Sequence, residues 1–153
     1  MPLRDRLASD LKAAMKAKDS KRLSTLRLIS ASIKDRDIAA RSDGDENLVP
    51  ESEIMAILAR MIKQRTESAR AYEEAGRLEL AQEERDEIAV IESYLPRQMD
   101  QDAIARAIDT EIAALGASSI RDMGRVMAAM KAKYTGQMDF AQVGPQVKAR
   151  LSV

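Results

Sequence analysis

The segment from Ser118 to Asp139 restricts the fold more than any other, because it combines a repeating apolar face with a signal for each end of a helix. Its apolar side chains follow the i, i+3, i+4, i+7 spacing of one helix face: Met123, Val126, Met127 and Met130. Ser118 or Ser119 can cap the N-terminus, and Asp122 stands at the capping-box distance from Ser119. We therefore predict one helix over this segment, with Asp139 capping the next helix.

Two glycines mark this predicted helix. Gly136 can adopt the left-handed conformation that ends a helix;. Gly124 instead falls in the second turn, where glycine costs about 0.5–1 kcal/mol relative to alanine. Two explanations remain open for Gly124: close packing of another helix over the missing side chain, or close approach of a ligand such as a phosphate to the backbone.

The composition favours an all-α protein. Apolar residues make up 45% of the chain and charged residues 33%, while aromatic residues make up only 3%;. No stretch alternates between apolar and polar residues over the length of a strand. The chain has no cysteine and no histidine, which excludes disulfides, Cys/His zinc sites and Ser-His-Asp or Cys-His catalysis;.

Basic and acidic residues are equal in number, 25 each, but they are not evenly distributed. Residues 1–41 are rich in Lys and Arg, residues 42–96 are acidic, and residues 97–153 are mildly basic. Bulk charge therefore gives no argument for nucleic-acid binding, although local basic patches still can. The N-terminus lacks a secretory signal and no apolar run is long enough to span a membrane, so we expect a cytoplasmic protein without membrane contact.

The periodic pattern predicts six further helices. They run over Leu3–Ala17, from about Lys21 to Ala40, from Pro50 to about Ala75, over Leu78–Tyr94, from Asp100 to Leu115, and over Phe140–Leu151;. Ser20 is the expected cap of the second helix. Pro145 should kink the last helix or delay its start to about Gly144.

Short connections predict an N-terminal helical domain over residues 1–96, with a loop at 41–50 and a long antiparallel helical hairpin. Pro96 cannot continue the preceding helix, so we place a domain boundary there. Residues 97–153 should then form a small three-helix domain.

No motif assembles a catalytic site. The Glu-rich segment Arg77–Glu92 is interpreted as an exposed helix face. Pairs such as Glu83/Glu87 or Glu84/Glu92 could bind a hard cation, but no convergent partner with metal-site spacing is visible. We predict no metal site and no cofactor.

The C-terminal half resembles the GatB/YqeY family. The resemblance rests on Tyr94-Leu95-Pro96, the segment from Asp122 to Met127, the pair Gly136 and Asp139, and the terminal Val147-Lys148 with Leu151. It implies that the tail is similar to the C-terminal domain of the GatB component of the glutamine-dependent aspartyl/glutamyl-tRNA amidotransferase, a domain that helps hold the tRNA. It also implies a family label of carbon–nitrogen ligase activity with glutamine as amide donor. This chain lacks the catalytic cradle of that component and any glutaminase.

The leading hypothesis is a non-catalytic module that contacts tRNA or another RNA. The candidate RNA-binding residues are Arg121, Gly124, Arg125, Lys131, Lys133, Tyr134 and Lys148. The basic side chains would meet phosphates and Tyr134 would stack on a base or ribose. The alternative is an adaptor that binds an amidotransferase or an aminoacyl-tRNA synthetase through the hairpin and a methionine-rich surface. A third hypothesis, an enzyme active by itself, has no catalytic residues to support it.

Overall fold

A computed structural model describes residues 1–44 and 48–152, and these residues form helices without any strand. The helices are α1 (Leu3–Ala17), α2 (Ser20–Ser42), α3 (Glu51–Glu74), α4 (Leu78–Glu92), α5 (Gln101–Leu115), α6 (Met123–Tyr134) and α7 (Phe140–Leu151). A short 3-10 turn, Ile120–Asp122, directly precedes α6. The all-α prediction is confirmed. Among the described helices, none combines the length and the apolar content that crossing a membrane requires.

Helices α1 to α4 form a first compact unit, Met1–Leu95. The α3–α4 connection turns at Gly76, whose φ of 74° suits glycine;. Arg85 pairs with Glu73 near this turn and Arg65 with Glu87 farther from it, as in an antiparallel hairpin. The largest fully buried side chains of the unit come from three helices: Leu26, Ile29, Ile54, Leu58 and Ile91. The predicted long hairpin is therefore present.

A partly buried ion pair fixes the start of α3 against the first two helices. The carboxylate of Asp37 accepts hydrogen bonds from both terminal nitrogens of Arg4, at 2.8 and 3.0 Å. It also accepts a bond from the buried backbone N–H of Val49 at 2.9 Å, and Arg4 donates to the Val49 carbonyl at 3.0 Å. Hydrogen bonding to Arg4 is the main reason why the pKa of Asp37 is lowered;.

Helices α5 to α7 form a second compact unit, Pro96–Val153. Its fully buried side chains come from all three helices: Ile108, Val126, Met130, Val143 and Val147. The carboxylate of Asp100 caps α5 by accepting from the N–H of Ala103 at 2.7 Å, and Gly116 ends α5 at a φ of 62°. The two units meet in sequence one residue before the predicted boundary. That they act as separate domains stays a prediction.

The predicted helix over residues 118–139 is wrong at both ends. The capping box of Ser119 and Asp122 is present, but the turn it starts is 3-10, and the regular helix begins only at Met123;. The helix stops at Tyr134 because Thr135 is already extended, with a ψ of 128°. Gly136, with a φ of 79°, then reverses the chain before Asp139 caps α7.

Other predicted boundaries also shift. Asp19, not Ser20, caps α2, because its carboxylate accepts from the N–H of Arg22 at 3.2 Å. Helix α2 continues to Ser42, so the first two residues of the predicted loop 41–50 are helical, and residues 45–47 of that loop lie outside the described residues. Helix α4 ends two residues earlier than predicted, at Glu92. Helix α7 starts at Phe140 and includes Pro145, so the delayed start at Gly144 is wrong.

Candidate functional site

One face of α6 points to solvent and carries part of the predicted RNA-binding set. Because successive residues turn by about 100° around a helix, Gly124 and Lys131 differ by only about 20°. Ala128 lies between them, and Arg125 lies on one flank of the same face. Arg121 lies in the 3-10 turn that directly precedes α6, three residues before Gly124. All of these residues are exposed, and we call them the α6 face: Arg121, Gly124, Arg125, Ala128 and Lys131.

Gly124 is not explained by close packing. A Cβ built at this position would meet no atom of the described neighbouring residues within 4 Å, and the residue is exposed. The packing explanation is therefore wrong. Of the two explanations offered by the sequence, only close approach of a ligand to the backbone remains open.

Arg125 has local partners on the α6 face. Its guanidinium donates to Asp122 Oδ1 at 3.0 Å and to the carbonyl of Leu115, the last residue of α5, at 3.5 Å. The same carboxylate accepts from the N–H groups of Ser118 and Ser119. The Ser118 bond, then Arg125 and then the Ser119 bond lower the pKa of Asp122. Arg125 thus joins the capping box to the end of α5, although 58% of its side chain stays exposed.

Lys133 lies on the opposite side of α6 from the α6 face. Its ammonium pairs with Glu111 of α5, whose side chain is only 3% exposed, and this hydrogen bond raises the pKa of Lys133. A buried carboxylate without its cation is costly, so Lys133 is held by the fold. The structure does not bring it together with Arg121 and Lys131.

Tyr134 and Lys148 also occupy different surroundings. The ring of Tyr134 is partly buried and packs against the core of the second unit, which reduces the ring surface available for stacking. Lys148 is exposed on α7. One turn before it, a Cβ built at Gly144 would lie 3.9 Å from Met123 Cε, so Lys148 follows one turn after the point where α7 meets the start of α6;.

The methionine-rich surface of the adaptor hypothesis is not a surface. Met130 and Met138 are buried, and Met123 and Met127 pack against the same core of the second unit. Two of the four methionines therefore fill the interior and the other two cover its edge, as adaptable side chains commonly do;. The adaptor hypothesis keeps only the helical hairpin.

Two buried acids were missed by sequence reasoning, although the sequence carries a signal for each. Glu111 lies three residues after Ile108 on the inward stripe of α5, and Asp37 lies four residues after Ile33 on that of α2. A charged residue on an apolar stripe indicates a buried partner. The position of that partner depends on another helix.

The acidic residues of the hairpin do not form a metal centre in the described part of the chain, where no group of three potential ligands converges. Glu84 is partly buried between neighbouring side chains. Burial first, and then the negative charge of Glu87, raises its pKa.

Comparison with known proteins places these features in a family. The chain matches the family of Yqey-like proteins over residues 4–151. It is also similar to fungal proteins named altered inheritance of mitochondria protein 41, mitochondrial. The protein from Kluyveromyces lactis is 28% identical over 144 residues, which cover 94% of this chain and 72% of the relative. The protein from Clavispora lusitaniae is 36% identical over 89 residues, or 58% of this chain and 49% of the relative.

The chain thus spans about half the length of several relatives, including the one from Candida glabrata, of which it covers 47%. The relatives are named as mitochondrial proteins. These names contradict the cytoplasmic location expected from the sequence, and that expectation is wrong.

Proposed function

The chain belongs to the Yqey-like protein family, and we propose that it is an accessory module that contacts RNA through the α6 face. The observation that carries the proposal is the pair Arg121 and Lys131. Both are exposed, and neither forms an ion pair with another described residue. Cations without a protein partner are available to phosphates, whose neutralisation releases condensed counterions.

The shape of the α6 face supports the same partner. Gly124 and Ala128 leave little side-chain bulk between the two cations, so a sugar-phosphate backbone can come close to the helix. Gly124 and Lys131 are separated by about 10 Å along the axis at ~1.5 Å per residue. The described face has no exposed aromatic ring for stacking. Binding should therefore depend on the backbone of the RNA more than on its sequence.

The family resemblance makes tRNA the first RNA to test. We place the chain beside the glutamine-dependent tRNA amidotransferases as a relative that binds and does not catalyse. An amidotransferase or a synthetase could be present in the same complex. Lys133 is left out of the proposed contact set because Glu111 holds it, while Lys148 extends the set at the start of α6.

The test is tRNA binding by the full chain across about 50–200 mM salt. Replacing both Arg121 and Lys131 with Ala should remove about two phosphate contacts, lowering the slope of log K against log[salt] by about 1.4–1.8. The matched control replaces Arg97 and Arg106, two exposed cations of the same unit, and should leave the slope almost unchanged.

Two results would contradict the proposal. One is no tRNA binding by the unmodified chain at the lowest salt. The other is equal loss of binding in the test and control variants, which would indicate a general charge effect. Capture of protein from a lysate that survives nuclease treatment, together with absent RNA binding, would favour the adaptor instead.

A further inference from the structure

Helix α2 divides its basic residues into two sets of three. One set is ion-paired with acids from other helices: Lys21 with Asp86 at 4.0 Å, Arg22 with Asp10 at 3.8 Å, and Arg36 with Glu53 at 2.5 Å. The other set is Arg27, Lys34 and Arg41, which we call the α2 stripe. These three side chains are exposed, and none pairs with an acid among residues 1–44 and 48–152.

The spacing of the α2 stripe is regular. Its residues recur every seven positions, so each is rotated by only about 20° from the previous one and lies about 10 Å farther along the axis. The three cations therefore follow one line about 21 Å long. Of the acids of α2, Asp35 is turned by about 100° from Lys34. Asp37 lies one turn before Arg41, but it is buried and bonded to Arg4. Arg4 and then the Val49 N–H have the larger effects in lowering the pKa of Asp37, and the charge of Arg41 helps to lower it after them.

We propose that the α2 stripe is a second surface for the phosphate backbone of RNA, carried by the first unit. This inference rests on the proposed function, because it assigns further contacts to the same kind of partner. A straight row of unpaired cations matches a polymer with charge at regular intervals. Helix α2 contains no aromatic residue that could stack on a base, so the stripe should bind without regard to sequence.

An anionic membrane is the other polyanion that a basic helix can meet. Leu28 and Ile38 are 43% and 50% exposed on the outward half of α2. An interfacial helix, however, buries a broad apolar face in the bilayer. Helix α2 uses that face inside the protein, where Leu26, Ile29 and Ile33 are buried. Two separated apolar side chains do not replace it, so RNA is the better match.

The experiment compares three variants of the full chain in the same tRNA titration: two with three substitutions and one with two. The first replaces Arg27, Lys34 and Arg41 with Ala, a substitution that α2 tolerates because alanine is the strongest helix former. Its control replaces Arg60, Lys63 and Arg70, exposed cations of α3 that share their face with Glu67 and Glu74. Both remove three positive charges. The third is the Arg121 and Lys131 double variant.

The expected result is a slope of log K against log[salt] that falls by about 2–3 for the α2 variant and hardly changes for the α3 control. An α2 variant with the slope of the unmodified chain would overturn the inference. If the α2 variant keeps the slope of the unmodified chain while the slope of the α6 variant falls, the α2 inference is wrong and the proposed function stands. If the slope falls for the α2 variant and stays unchanged for the α6 variant, the proposed contact at the α6 face is wrong.

Two further outcomes are decisive. No tRNA binding by the unmodified chain overturns both proposals. Vesicles of phosphatidylserine and phosphatidylcholine provide the membrane arm of the test. If the α2 variant loses vesicle binding while its tRNA binding stays unchanged, the stripe contacts a membrane and the inference is wrong. Circular dichroism should show that all variants remain folded.

Discussion

Gly124 lowers the stability of α6, and no packing contact with the described neighbours compensates for that loss. It sits near the start of α6, exposed, with open space where a Cβ would be. Glycine at a helical position is less stable than alanine because it loses more conformational freedom on folding. The residue therefore lowers stability at a position where the proposed RNA contact would need minimal side-chain bulk.

Replacing Gly124 with Ala should raise the free energy of unfolding of the second unit by about 0.5–1 kcal/mol and weaken tRNA binding per folded molecule. Gly144→Ala is the matched control. It also adds a methyl group inside a helix, but this group would lie against Met123 Cε at 3.9 Å and not on the exposed α6 face, so tRNA binding should stay unchanged. Thermal unfolding and titration measure both effects. A lower melting temperature for Gly124→Ala would contradict the open space described above.

Asp37 shows how one buried acid links stability to pH. Bonds from Arg4 and from the N–H of Val49 favour its charged form and lower its pKa. A carboxyl group with a lowered folded pKa contributes stability above its unfolded pKa of about 4. That contribution is lost as the pH falls through the lower folded value.

Asp37→Asn should reduce the free energy of unfolding by about 1–3 kcal/mol at neutral pH, because Arg4 and Val49 lose a charged acceptor. The unmodified protein should also lose stability more steeply below about pH 4 than the variant does. Denaturant titrations over a pH series measure this difference. Asp35→Asn, on the exposed side of the same helix, is the control, and an equal effect there would argue against the buried pair.

At the scale of elements, the interface of α5 and α6 contains one polar contact inside an apolar seam. Glu111 is buried by α5 and is neutralised by Lys133 from α6. Such a pair is costly to break one partner at a time, whereas an apolar pair of similar size can replace it. The two residues should therefore be coupled in stability.

Lys133→Met should lower the melting temperature, because it leaves the Glu111 carboxylate buried without a cation. Adding Glu111→Leu should recover stability, so that the double variant is more stable than the sum of the single changes predicts. Lys131→Met, which changes an exposed lysine without a described ion pair, should leave the melting temperature nearly unchanged. Additive single effects in thermal unfolding would show that the two side chains are not coupled.

For the whole molecule, two separate cores account for the described helices. The first unit is built around Leu26, Leu58 and Ile91, and the second around Ile108 and Met130. A unit of about 60 residues buries a smaller fraction of its surface than a larger one and is less stable for that reason. The second unit should therefore open more easily than the first.

Ile108→Ala removes a fully buried side chain and should destabilise the second unit by about 2–5 kcal/mol;. Amide hydrogen exchange should then speed up within residues 96–153 and stay slow in the core helices of residues 1–95. Ile54→Ala, buried in the first core, is the reciprocal variant. Acceleration across both units in either variant would show that the chain unfolds as a single cooperative body.

The sequence by itself determined the class of fold and, outside α6, placed the helix limits within two residues of the observed ones, because these depend on local physics. Helix α1 runs over the predicted residues, and Asp139 caps α7 as predicted, since a cap involves only neighbours in sequence. Within α1, Leu3 and Leu7 are buried, whereas Met15 is 52% exposed, because positions spaced by four residues drift by about 40° each around a helix;.

Only the tertiary structure decided which basic residues form ion pairs within the protein and which do not. Arg125 and Lys133 looked equivalent to Arg121 and Lys131 in sequence, yet one bridges a capping box to α5 and the other neutralises a buried glutamate. The same selection separates the α2 stripe from the paired cations of α2. An ion pair joins residues that are distant in sequence, so its formation depends on how helices pack, which no local pattern specifies.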